Sequence, residues 1–97
     1  MHMVEVKDII RLEADGSYTT FYISDNRKIM VSKNLKEYEE LLAEYAFFRP
    51  HHSHLVNLNY MQSFEKRDGG TIVMKDKSVV PVASRRKDDL LRLFEKI

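Results

Sequence analysis

The sequence predicts a mainly β domain of six or seven short antiparallel strands with two helices. Three observations predict it. Runs of β-branched and aromatic residues recur along the chain, as strands require. Turn signals separate those runs at short intervals. Only two stretches repeat apolar residues at helical spacing. Ninety-seven residues are enough for one core but not for two.

The elements follow in order. Residues 8–13 (DIIRLE) suit a strand, and Asp15, Gly16 and Ser17 signal a turn. Residues 18–24 (YTTFYIS) are β-branched and aromatic and read as the next strand. Asp25 and Asn26 turn the chain, and residues 28–31 return it as a hairpin. A helix should start after Asn34, with Asn34 and Glu37 forming a capping box. Leu35, Tyr38, Leu41, Leu42 and Tyr45 then give it an apolar stripe. Phe47 and Phe48 read as a core anchor beyond its end. Residues 54–57 are short and extended. A strand over 62–66, a turn at Asp68, Gly69 and Gly70, and a strand over 71–75 read as a second hairpin. Asp76 and Lys77 turn the chain into a strand over 79–82. Pro81 lacks an amide donor, which places that strand at a sheet edge. Ser84 reads as the cap of a closing helix whose apolar side is Leu90, Leu91, Phe94 and Ile97.

Composition bounds the function. Hydrophobic residues make up 43% and charged residues 32%, the balance of a soluble globular domain. No apolar run is long enough to cross a bilayer and no signal peptide is visible. The absence of cysteine excludes disulfides and thiolate metal sites and fits a reducing cytoplasm. Met1, His2 and Met3 read as an initiator with cloning residues, leaving a domain over 4–97. The net charge of +1 is low for a dedicated nucleic-acid binder. It conceals asymmetry: Glu37, Glu39, Glu40 and Glu44 are clustered, as are Arg85, Arg86 and Lys87. Arg49 with His51, His52 and His54 makes a patch that should gain charge below about pH 6.5.

The histidines within FRPHHSHLVNLNY (48–60) pose the chemical question. On an extended backbone His52 and His54 share a face and His51 points away, so two same-side ligands fall short of a zinc site. Acid–base catalysis needs histidines on both sides of a scissile bond, whereas these lie in one strand-sized piece. Neither a catalytic nor a metal site is expected. Contact with an anion or a base edge fits better. Arg49 offers a planar donor fork for phosphate or guanine, Pro50 stiffens the segment, and Ser53 adds a hydroxyl. His54, beside Leu55 and Val56, reads as structural.

The order of these pieces resembles the LytTR family of DNA-binding domains from bacterial response regulators. LEADGSY leads to an Asn-Leu-Lys helix start, then FFRPHHSHLVNLNYM, a hairpin around Asp-Gly-Gly, and PVASRRKDDL. Within the block F-x-R-x-H-x-S-x-x-V-N, Phe47, Arg49, His51, Ser53, Val56 and Asn57 match position for position. Ser84 and Arg86 match a final S-x-R. The resemblance spans roughly residues 8–97. It implies an elongated stack of small antiparallel sheets with two flanking short helices, and loops that enter successive major grooves of double-stranded DNA, on direct repeats and as a dimer there. It places base contacts on Ser17, Tyr18, Thr19, His52 and Arg86. It places phosphate contacts on Lys33, Asn34, Arg49, Ser53 and Ser84; beyond the resemblance, Arg85 is expected to hold a phosphate too, and His51 to hold a phosphate or fix the loop. It also implies the output domain of a two-component transcription regulator with an N-terminal receiver domain, acting in the cytoplasm without a cofactor and not as an enzyme. His52 departs from the family, where arginine, lysine or asparagine is more usual. A strand that normally precedes Asp8 is missing, which should bare a sheet edge. That edge underlies a second reading, a protein-interaction module. A third is a histidine-dependent phosphodiesterase. If a protonated His52 reaches DNA, affinity should fall as pH rises from about 6 to 8.

Overall fold

The computed structural model describes residues 4–66 and 69–95. Met1, His2, Met3, Asp68 and Ile97, which carry expectations above, lie outside them. Strands β1 (Ile9–Asp15), β2 (Tyr18–Ile23) and β3 (Lys28–Val31) form a meander that leads to helix α1 (Leu35–Leu41). Strands β4 (Phe47–His51) and β5 (His54–Asn57) form a hairpin. Strands β6 (Met61–Glu65), β7 (Thr71–Met74) and β8 (Val79–Pro81) form a second meander, closed by α2 (Lys87–Glu95). All pairings are antiparallel, in one sheet ordered β3-β2-β1-β5-β4 and another ordered β6-β7-β8. With extents of 39 × 24 × 24 Å, this is the elongated sheet stack that the resemblance implied.

Local chemistry explains most boundaries. Gly16 turns β1 into β2 at φ 61°, and Asn26 turns β2 into β3 at φ 71°, a conformation that glycine and asparagine tolerate best. Asn34 Oδ1 accepts the Glu37 amide at 3.0 Å and starts α1. Two expected details of α1 need correction. The helix ends at Leu41, so its apolar spacing stops early. Leu35 and Leu42 are buried, but Leu41 (65% exposed) and Tyr45 (53%) face solvent. Tyr38 packs edge-on against Phe21 at 4.8 Å.

β4 was not legible as a strand, because Pro50 argues against pairing. It is tolerated because β4 is a sheet edge and the β4–β5 register shifts between Phe48 and His51. Pro50 is buried, and its carbonyl accepts the Ala83 amide at 2.8 Å. The bare edge expected ahead of Asp8 is also corrected. β1 lies between β2 and β5, and Val6–Asp8 forms a 3-10 turn. Ser84 does not cap α2. Ala83 leads into a 3-10 turn, Ser84–Arg86, that runs straight into Lys87 with no side-chain cap bond. Asp88 and Asp89 instead place favourable negative charge in the first turn of α2.

The five-stranded sheet is buried on both faces. Ile9, Leu12, Ile23 and Leu55 pack with Leu35 and Leu42 at α1. Ile10, Phe48 and Val56 pack with Ile72, Met74, Val80 and Leu90 of the second sheet and α2. A regular strand would put Ile9 and Leu12 on opposite faces; the register shift between Ile9 and Arg11 brings them together. Asn57 serves that irregularity. It is buried, and its Nδ2 donates to the Ile9 carbonyl at 2.9 Å.

Candidate nucleic-acid interface

Antiparallel pairing decides which loops meet. Glu13 of β1 pairs with His54 of β5, and the Ala14 amide donates to the Ser53 carbonyl at 2.8 Å. Asp15 pairs with Tyr18, and Thr19 pairs with Val31. The Gly16–Ser17 turn, the stretch after β3 and the His52–Ser53 turn therefore share one end of the five-stranded sheet. The 3-10 turn before α2 joins them, because Arg86 Nε donates to the Arg49 carbonyl at 3.0 Å. Every segment singled out for DNA contact lies at this end.

Side chains from four elements line a groove there: Lys36, Glu39, Arg49, His51, His52, Ala83, Arg85 and Arg86. Four cations face one carboxylate, so this groove concentrates positive charge that the net charge of the chain conceals. Lys36 and Glu39 were missed by sequence reasoning. Their only signal is the i, i+3 spacing that puts both on one helix face, and topology alone brings that face to the loops. Lys33 lies apart, in a separate depression with Glu37, Glu40 and Leu41.

The other candidates divide by exposure. Ser17, Tyr18, His52, Ser84 and Arg85 are exposed at the loop tips, and Ser53 is half-buried. Thr19 is corrected as a base contact: it is 0% exposed, and its hydroxyl donates to the Lys33 carbonyl at 2.7 Å. It fixes the exit from β3. The Asn34 side chain is already committed to the α1 cap.

The histidines are packed on one another. The His51 ring stacks on His52 at 4.3 Å and meets His54 edge-on at 5.5 Å. His51 Nδ1 accepts the Ser53 amide at 3.1 Å, which ties the turn. Burial, then the neighbouring His52, lowers the His51 pKa. Burial lowers that of His54 more than Glu13 raises it. Among the described residues His54 Nδ1 is buried without a hydrogen-bond partner, 3.9 Å from Glu13 Oε1. The expected gain of charge by the whole cluster near pH 6.5 is thus opposed at two of its three rings. Behind them Arg11, with a side chain only 12% exposed, donates to Glu13 at 2.8 Å and to Ser78 Oγ, in the turn between β7 and β8, at 3.2 Å. Its guanidinium lies 3.7 Å from the Tyr22 ring centroid.

Both groove arginines are held internally. Arg86 Nη1 donates to Asp89 at 2.8 Å, with the guanidinium 5.0 Å from the Phe48 ring centroid. Arg49 donates from Nη1 to Glu39 at 2.9 Å, from Nε to the His51 carbonyl at 3.4 Å and from Nη2 to the His52 carbonyl at 2.5 Å. Its expected phosphate contact therefore competes with three acceptors of the protein.

Comparison with known proteins gives concordant results. A family model described as the LytTr DNA-binding domain matches residues 1–95. The heme-containing CO-sensing transcriptional regulator RcoM 2 of Paraburkholderia xenovorans is 34% identical over 95% of this chain and 35% of its own length. The sensory transduction protein LytT of Oceanobacillus iheyensis is 31% identical over 86% of this chain and 35% of its own length. The chain thus spans about a third of these curated relatives. A solved LytTr DNA-binding domain from Bacillus cereus superposes with a TM-score of 0.83, covering 94% of this chain and 84% of that one, at 24% identity. At that identity the likeness shows the fold.

Proposed function

Because the chain belongs to the LytTR family of DNA-binding domains, we propose that it reads a specific double-stranded DNA sequence with the loop end of its five-stranded sheet. The observation that carries this reading is the convergence of four loop segments around a groove with four cations and one carboxylate. Such a surface suits a phosphate backbone, whose contacts position a protein without specifying sequence. In this reading Arg85, Lys36, Ser84 and Ser53 take that role at the groove, with Lys33 beside it. His52, Ser17 and Tyr18 stand at exposed tips suited to base edges, and Arg86 joins them if it exchanges Asp89 for guanine. Five strands at about 4.8 Å spacing make an end roughly 19 Å wide. That exceeds a major groove of about 12 Å, so tips at its two sides meet different grooves or opposite backbones.

The chain serves in this reading as the output domain of a regulator of the response-regulator type, on paired direct repeats. The full-length protein would carry a signal-sensing part as well, in keeping with relatives named for CO sensing and for sensory transduction, and a receiver domain is our reading of that part.

The test is affinity for a duplex enriched from a random pool against a scrambled duplex, over a salt series. The selected duplex should bind at least tenfold tighter. Arg85→Ala should weaken both and reduce the salt slope by about one. Equal affinity for the two duplexes, with a slope indifferent to Arg85, would contradict the reading.

A further inference from the structure

Glu39 has the wrong charge for a surface that binds DNA, yet it lines the groove. Its partner explains why. Arg49 reaches three acceptors at once: the Glu39 carboxylate and the carbonyls of His51 and His52. Those carbonyls belong to the turn that presents His52. The turn is tied again inside, where His51 Nδ1 accepts the Ser53 amide. The Arg49 carbonyl is itself held by Arg86 Nε, and Asp89 holds the same guanidinium through Nη1. A carboxylate on α1 and another on α2 thus brace the two arginines that frame the turn.

We propose that Glu39 and Arg49 form a clamp that fixes the His51–His52 turn and so determines sequence specificity, with Arg49 a positioning residue and not a phosphate contact. The inference rests on the DNA-binding reading above. Only a guanidinium can fill the Arg49 role, since a lysine ammonium lacks the planar fork that meets several acceptors from one position. The clamp needs the carboxylate to orient that fork. Without Glu39 the guanidinium is free to swing toward phosphate and release the turn. Removing this negative charge also makes the groove more attractive to any duplex. Glu39→Gln should therefore strengthen non-specific binding while blurring recognition, because a turn without its supporting contacts no longer holds His52 in one geometry.

Two measurements test this, one of them free of DNA. In the unbound protein, amide hydrogen exchange at Ser53 should accelerate roughly tenfold or more in Glu39→Gln and in Arg49→Lys, and stay unchanged in Glu40→Gln, whose side chain is outside the groove. Unaltered Ser53 exchange in the first two variants, with the fold intact, overturns the clamp whatever the DNA results. With a selected 25-base-pair duplex and a scrambled one of the same composition, Glu39→Gln should bind the scrambled duplex as well as the parent or better. Its preference for the selected duplex should fall about tenfold. Arg49→Ala should lose preference without change in salt slope, and Arg49→Lys should not restore it. A slope reduced by about one in Arg49→Ala, with rescue by lysine, would make Arg49 a phosphate contact and overturn the assignment. If the parent protein itself shows no preference, the DNA-recognition reading fails, while Ser53 exchange still decides whether the clamp exists.

Discussion

At the scale of single residues, the sequence identifies chemistry more readily than it identifies the partner of each group. His51, His52 and His54 stand out at once, but their division of labour is set by packing. His51 spends Nδ1 on the Ser53 amide, His54 is enclosed, and His52 is left at the tip. Arg49 and Arg86 were legible as donors, whereas Glu39 and Asp89, which hold them, were legible only as surface acids. Thr19 failed as a candidate because its neighbour across the chain, the Lys33 carbonyl, is invisible in sequence. The pKa of His54 yields a prediction at this scale. Burial lowers it, against the raising effect of Glu13; His51, Arg11 and His52 lower it further. The folded protein therefore holds His54 neutral where the unfolded chain, near its ordinary value of about 6.5, takes up a proton. The stability so conferred is complete above about pH 6.5 and is lost as pH falls from there through the folded pKa. Urea unfolding at pH 7.5 and at pH 5.5 should show the parent losing stability at the lower pH. His54→Gln should lose less, with His51, also lowered, accounting for part of the remainder. An equal loss in both proteins would refute this role.

At the scale of elements, the turns and the α1 cap were the most legible parts, whereas the expected Ser84 cap was not formed. Gly16 and Asn26 turn the chain where the sequence placed them, and the Asn34 cap starts α1. These features depend on local backbone chemistry, so local sequence suffices to find them. β4 was obscured for the opposite reason. Pro50 is unfavourable locally, and it is accommodated by an edge position, a register shift and the Ala83 amide, all of which are tertiary. The exposed Leu41 and Tyr45 show the same limit, since helical spacing predicts a stripe but not where a helix stops. The α1 cap matters beyond stability, because that end of the helix presents Lys36 and Glu39 to the groove. Asn34→Ala should cost about 1 kcal/mol of stability. It should also lower affinity for a selected duplex several-fold, as calorimetry and a binding titration would show. A normal affinity in a protein destabilised by that amount would separate α1 from the interface.

At the scale of the whole molecule, one rigid frame carries a set of loop tips. The five-stranded sheet is packed on both faces, against α1 on one side and against the small sheet with α2 on the other. Arg11 ties the two sheets through Ser78. This double burial lets short loops hold fixed positions, which recognition by loops requires. The class of fold was legible from its turns and strand runs, and the family from one block and a final S-x-R. The convergence was not, because it depends on β1 pairing with β5 across more than forty residues. The most direct test is the perturbation of backbone amide resonances of the labelled protein on titration with a selected duplex. The largest changes should fall in residues 16–18, 33–36, 51–54 and 84–86, with the β6–β7–β8 strands little affected. Changes concentrated instead on those strands or around Leu41 and Tyr45, with the loop end silent, would contradict the account.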